Sequence, residues 1–142
     1  MKEHQTTLGC KNRNPLNIRY NPRNNWKGQV GENAGFCVFS HEAYGFRAAY
    51  KLITTYISQG HNTIEKIVSR WAPSCENDTE AYIKFVAYET IIDRKEILTD
   101  RNIHDYWTKL MIIRAMARME SSRNIDEQQI NLYINYPEKY DP

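Results

Sequence analysis

Residues 14–47 read NPLNIRYNPRNNWKGQVGENAGFCVFSHEAYGFR and divide the chain into two unlike parts. Two Asn-Pro pairs, a Lys-Gly and an Ala-Gly place turn signals at short intervals, which leaves no length for a long helix before Ser40. Beyond Ser40, apolar residues recur at helical spacing almost to the end. The chain is therefore expected to be mainly α, within the α+β class. A small turn-rich lobe carries a hairpin, and about five helices form the body. A polar, aromatic-bearing lobe beside helices is the arrangement from which a cleft is made.

Within the lobe, Leu16, Ile18 and Tyr20 alternate as in a short half-buried strand, bracketed by Pro15 and Pro22. Phe36 and Val38 would face one way, Cys37 and Phe39 the other. Two short antiparallel strands joined by the loop around Trp26 and Gly28 are the expectation.

Ser40 can cap the first helix, with Glu42 in its first turn and Phe46, Ala49, Tyr50, Ile53 and Ile57 on one face. Gly60 ends it. Asn62 with Glu65, and Asn77 with Glu80, read as capping boxes for the next two helices. Pro73 separates them, and Lys95 to Asn102 connects onward. The longest helix runs from about Ile103 to Ser121, with Leu110, Ile113 and Ala117 inside and Met111, Met116 and Met119 as a flank expected to be core. Asp126 with Gln129 starts a last helix, which Pro137 ends; the tail EKYDP is expected to fray.

With 142 residues the chain suits a single domain, 1–142. Residues 1–13 read as an N-terminal arm, 14–39 as the β/loop lobe and 40–136 as the helical body. No apolar run reaches the ~20 residues of a membrane span, so no membrane insertion is expected. The first residues lack the apolar core of a secretory signal. Export by a non-classical route and packaging into a particle both stay open. Six Lys or Arg precede Glu32 against one acid, yet no recognition helix or zinc pattern accompanies them, so nucleic acid is not the expected partner. Cys10, Cys37 and Cys75 are odd in number and widely spaced, and His4, His41, His61 and His104 lack ligand spacing. No metal and no cofactor is expected.

Carboxylates remain as the chemistry-bearing groups. Cleaving a glycosidic bond requires an acid kept protonated near neutrality, and apolar surroundings or a helix C-terminus raise such a pKa. Glu120 meets both conditions. Ala117, Met116 and Ile113 precede it by three, four and seven residues, so it prolongs an apolar face at a helix end. The alternative is a surface glutamate paired with Arg114, Arg118 or Arg123. Glu42, at a helix start, suits an ionised helper, or a structural pair with Arg47. Tyr20, Asn25, Trp26, Gln29 and Tyr82 are of the types that hold sugars, with Trp26 the best placed. Trp71 reads as core.

Several motifs resemble those of the phage- and prophage-encoded "structural protein P5" family. They are NPLNIRY (14–20), NNWKGQVG (24–31), GFCVF (35–39), SHEAYGFRA (40–48), TIEKIVSRWAP (63–73), ENDTEAY (76–82) and IRAMARMESS (113–122). Two departures stand out: AYG where the family has Glu-x-Gly, and Ser122 where the late motif has glycine. The resemblance implies a lysozyme-like fold; because the helix-borne Glu-Ser-Ser stands at the far end of this chain, we infer a circularly permuted order, which would bring Glu120 beside the Asn14–Tyr20 segment. It implies a virion-carried enzyme acting on peptidoglycan glycan strands. Its motifs add Asn17, Arg47 and Asn77 to the sugar contacts, and keep Glu120 and Glu42 as the catalytic candidates.

The leading expectation is thus cleavage of the β-1,4 bond between N-acetylmuramic acid and N-acetylglucosamine, as a lytic transglycosylase. A muramidase or glucosaminidase that hydrolyses is the first alternative, with Glu42 or Asp78 to position water. A non-enzymatic virion component that binds glycan or packs against other virion proteins is the second.

Overall fold

The computed structural model describes residues 7–75 and 77–141. Expectations placed on residues 1–6, on Glu76 and on Pro142 fall outside them. Among the described residues there are six α-helices, a closing 3-10 turn and one two-stranded antiparallel sheet.

The hairpin pairs β1 (Gln29–Asn33) with β2 (Phe36–Phe39). Its turn is Ala34-Gly35, both at positive φ (53° and 88°), the geometry that matches strand twist in a two-residue hairpin. The expected pairing through the Trp26 loop is therefore corrected. Leu16–Tyr20 runs beside β2 but makes only one bridge, Arg19 to Phe36. The reason lies in two asparagines. Asn17 takes a left-handed φ of 50°, which breaks an extended run. The buried Asn14 side chain accepts from the Ile18 amide (2.9 Å) and donates to the Ile18 and Cys37 carbonyls (2.9 and 3.0 Å), doing what a ladder partner would do. Alternation itself holds: Cys37 and Phe39 are buried, Phe36 and Val38 half-buried.

The helical body follows the sequence order. Within the expected arm, Leu8–Lys11 forms α1, capped by Thr7. Then come α2 (Glu42–Ser58), α3 (Ile64–Trp71), α4 (Thr79–Thr90), α5 (Ile103–Ser121) and α6 (Glu127–Asn135). Three caps lie one residue later than read. His41 replaces Ser40, accepting from Ala43 N–H through Nδ1; Thr63 replaces Asn62; Asp78 replaces Asn77. Asn102 and Asp126 cap α5 and α6. The tail is also corrected. Pro137–Lys139 forms a 3-10 turn, and the Tyr140 ring packs edge-on against Tyr133 at 4.8 Å. Ser40 Oγ donates to Asp141 (3.1 Å), and Lys27 pairs with Glu138.

The core lies between α2, α3 and α5, closed by β2 and Leu16. Phe39, Phe46, Ile53, Ile64, Ile67, Leu110, Ile113 and Met116 are fully buried. The methionine flank splits: Met116 is core, Met111 is half-buried and Met119 is exposed. The buried Lys109 ammonium donates to Asp100 (2.6 Å), Thr54 (3.0 Å) and Tyr50 (3.2 Å), which fastens the 91–102 connection to α2 and α5.

Two glycines set close approaches. A Cβ at Gly45 would stand 2.9 Å from Pro15 Cδ and 3.1 Å from the Arg13 carbonyl, so glycine lets α2 lie against residues 13–15. A Cβ at Gly9 would meet the Asn14 carbonyl and Ser121 Cβ at 2.9 Å and Asn17 Oδ1 at 3.0 Å, so α1 is wedged between the lobe and the end of α5. α1 and the α5 terminus are therefore in contact.

Candidate functional site

That contact brings Glu120 beside the NPLNIRY segment. Ser121 Oγ donates to the Pro15 carbonyl (2.8 Å), and Thr7 Oγ1 donates to the Ser121 carbonyl (3.3 Å). Asn17 Nδ2 donates to both the Glu120 carbonyl and its Oε1, each at 3.1 Å. From the other side, Tyr82 on α4 donates its hydroxyl to Glu120 Oε2 at 3.0 Å. Ser122 ends α5 with φ 58°, a left-handed cap that explains why glycine suits that position.

No cation pairs with Glu120 among the described salt bridges. The three arginines that could have neutralised it are taken: Arg114 by Glu127 (3.0 Å), Arg118 by Glu89 (3.1 Å) and Arg123 by Glu42 (2.8 Å). Burial pushes the Glu120 carboxyl above its ordinary value, against the opposing pull of the Asn17 and Tyr82 hydrogen bonds and the Arg19 charge. Burial, then the neighbouring Glu120 charge, holds the Tyr82 phenol well above its usual range, so it stays a donor. Asn17 Oδ1 is buried without a partner among the described residues.

Asn17 also lines a groove of about 540 Å³, and Glu120 is not part of that lining. One wall is Asn17–Pro22 with Asn24; the other is Leu52, Thr55, Tyr56 and Gln59 of α2 with Arg70 and Trp71 of α3. Asn17 belongs to both the groove and the acid's hydrogen bonds, so Glu120 stands one side chain behind the wall. Trp71, read as core, is half-buried; its indole donates to the Leu16 carbonyl (2.9 Å) and its ring meets Tyr56 edge-on at 6.0 Å. Amides, hydroxyls and aromatic faces line the groove together, and Asp and Glu are absent from its described lining.

Glu42 lies elsewhere. Its carboxylate receives Arg123 Nε and Nη2, both at 2.8 Å, and the Tyr133 hydroxyl at 2.9 Å. Burial alone would raise its pKa, but the bonds from Arg123 and Tyr133, with the Arg123 charge, bring it below the usual value. Tyr133 is pushed up to about 12, by burial first and then by Glu42. Glu42 lines a separate depression with Gly9, Cys10, Arg13, Pro15, His41 and Arg123. Its partner is Arg123, not Arg47 as expected, because Arg47 stands near Glu138 and the C-terminal turn.

Of the sugar contacts expected from the sequence, Asn17 and Tyr20 line the groove and Tyr82 sits behind it. Five do not line it. Trp26 packs its ring on the core, where an indole gains more from burial than from display, and its Nε1 is buried without a partner among the described residues. Asn25 is exposed while its neighbour Asn24 takes the groove position. Gln29 opens β1 and accepts from the Cys37 thiol (3.8 Å). Arg47 faces the tail, and Asn77 donates to the Pro73 carbonyl (3.3 Å) between α3 and α4. The residues missed, Leu52, Thr55, Tyr56 and Gln59, recur at helical spacing. That second stripe on α2 is visible in the sequence but is masked by the stronger apolar one.

Comparison with known proteins supplies the relationship. No family model matches the chain. It is 36% identical over 126 residues to Protein P5 of Pseudoalteromonas phage PM2, covering 85% of this chain and 75% of that protein. The chain belongs to the Protein P5 family. The late glutamate motif and the NPLNIRY segment, which resemble this family in sequence, are the two pieces the P5-family fold seen here sets side by side. No helix among the described residues of this P5-family chain is long and apolar enough to cross a membrane.

Proposed function

We propose that this P5-family protein cleaves the glycan strands of peptidoglycan, at the bond between N-acetylmuramic acid and N-acetylglucosamine, with Glu120 as the acid. The observation that carries the reading is the state of Glu120: a half-buried carboxyl at a helix end, raised in pKa by burial, held by two neutral donors, one of which (Asn17) is a wall residue of a groove of amides and aromatics. Arg114, Arg118 and Arg123, the partners expected of a structural glutamate at this position, are each paired with another carboxylate.

The described groove lining carries no carboxylate that could partner Glu120. Glu42 is held in its clamp, and Asp78 is occupied as the α4 cap, accepting from Ala81 N–H at 3.1 Å. One acid without a water-positioning partner favours the transglycosylase course over hydrolysis. Protonated Glu120 gives its proton to the glycosidic oxygen as the C1–O bond breaks. The resulting carboxylate then accepts the proton of the muramic C6 hydroxyl as that oxygen bonds to C1, which closes a 1,6-anhydro ring and restores the acid. Tyr82 and Asn17 orient the carboxyl between the two steps. Tyr20 and Trp71 offer ring faces to the sugars. A lysozyme-like, permuted fold and a place in the virion or at the cell wall belong to the same reading.

One observation favours a second reading, a glycan-binding virion component without activity. The Glu120 carboxyl reaches the groove only past Asn17. Purified protein incubated with sacculi distinguishes the two. Release of muropeptides with anhydro ends by mass spectrometry, abolished in Glu120→Gln at unchanged thermal stability, is the expected result. Sacculus binding without any release assigns the binding role. Activity that survives Glu120→Gln refutes the assignment of the acid.

A further inference from the structure

The groove holds cations that glycan cleavage does not require. Arg70, on the last turn of α3, is exposed and stands over the Tyr56 ring at 5.1 Å from its centroid. Arg70 pairs with no carboxylate among the described residues, although most arginines of the helical body do. A cation at a helix C-terminus is stabilising in itself. That explains a charge at this position, but not its placement in the wall of the groove beside Tyr56 and Trp71. Arg19 lines the same groove from the opposite side, with its guanidinium over the Phe36 ring at 5.2 Å. No acid stands in the described lining, so no carboxylate there competes for Arg70.

We propose that the groove selects glycan strands bearing carboxylates, such as the peptide stems of cell-wall glycan, and that Arg70 is the residue that receives the carboxylate. The polymer's identity rests on the glycan-cleaving reading above; the charge selectivity rests on Arg70. A planar guanidinium already oriented against a ring loses little freedom on accepting a carboxylate in two-point contact. Neutral hydrogen-bonding groups outnumber cations here: Asn21, Asn24, Thr55 and Gln59 against Arg19 and Arg70. That balance fits a hydroxyl- and acetamide-rich strand with an occasional anion. A polyphosphate chain, with one charge per unit, would call for a run of cations.

The test uses the full chain carrying Glu120→Gln, so that binding is read without turnover. Soluble glycan strands with intact stems are compared with the same strands after carbodiimide amidation of their carboxyls, by fluorescence polarisation. About tenfold tighter binding of the untreated strands is expected, since a charge-assisted bidentate contact is lost on amidation. Adding Arg70→Gln should reduce binding of untreated strands to the amidated level, and Arg70→Lys should keep part of the preference. Equal binding of the two strand preparations overturns the inference, as does a preference that persists in Arg70→Gln. Oligothymidylate bound as tightly as the intact strands also overturns it. Cleavage of sacculi is scored separately on the unaltered protein. Its absence removes the glycosidase reading alone, and loss of the charge preference removes this inference alone.

Discussion

Replacing Glu42 by alanine separates a clamp from a catalytic helper. The carboxylate holds three hydrogen bonds of 2.8, 2.8 and 2.9 Å, which join the start of α2 to the segment after α5 and to α6. A fully buried pair broken on one side costs about 3–5 kcal/mol, and an exposed pair about 0–1. Here the Arg123 and Glu42 side chains are 35% and 21% exposed, so water can take up much of the arginine's loss. The Tyr133 hydroxyl, on a residue only 7% exposed, loses its acceptor with less relief. The expected cost is therefore between the limits, about 2–3 kcal/mol. For a chain of this length that lowers Tm by about 5–10 °C. The pH sign follows from the depressed pKa of Glu42. Its contribution is present above the unfolded carboxyl value of about 4.3 and is lost as pH falls through the lower folded value. Urea unfolding followed by tryptophan fluorescence at neutral and acidic pH measures both. A loss under about 0.5 kcal/mol at neutral pH, the level of an ordinary surface substitution, refutes the clamp. So does a loss that persists undiminished in acid. A variant that stays folded but releases no muropeptides would instead return Glu42 to the catalytic site.

Two further substitutions probe the acid. Tyr82→Phe removes one donor that stabilises the ionised form of Glu120, so the alkaline limb of the pH–activity profile should move upward; an unmoved or lowered limb counts against the hydrogen bond. Gly9→Ala places a Cβ 2.9 Å from the Asn14 carbonyl and Ser121 Cβ and 3.0 Å from Asn17 Oδ1. It should cost about 1–3 kcal/mol of stability and reduce activity at temperatures where the protein is still folded. Normal activity and melting together would show that α1 is not wedged against the site.

Most of the helical body was legible before any coordinates. Capping residues followed by apolar repeats are local signals, and they located every long helix to within a residue or two of its cap. The β lobe was less legible. Leu16–Tyr20 alternates like a strand, but the Asn14 side chain and the left-handed Asn17 substitute for a ladder, and alternation does not register side-chain hydrogen bonds. Trp26 and Trp71 both pack half-buried against the core, and only Trp71 also lines the groove. Each is a large ring able to pack or to be displayed, and only its neighbours in space decide which.

The sequence by itself determined the order of elements, the helical class and the candidate acid, because periodicity, caps and a lone glutamate at an apolar helix end are properties of a few neighbouring residues. The tertiary structure alone decided what surrounds that acid. Glu120 meets Asn17 across 103 positions and Tyr82 across 38, while all three nearby arginines find other carboxylates. Its pKa depends on burial and on those partners, and both are set by how α1, α4 and α5 close on one another, which no local pattern encodes.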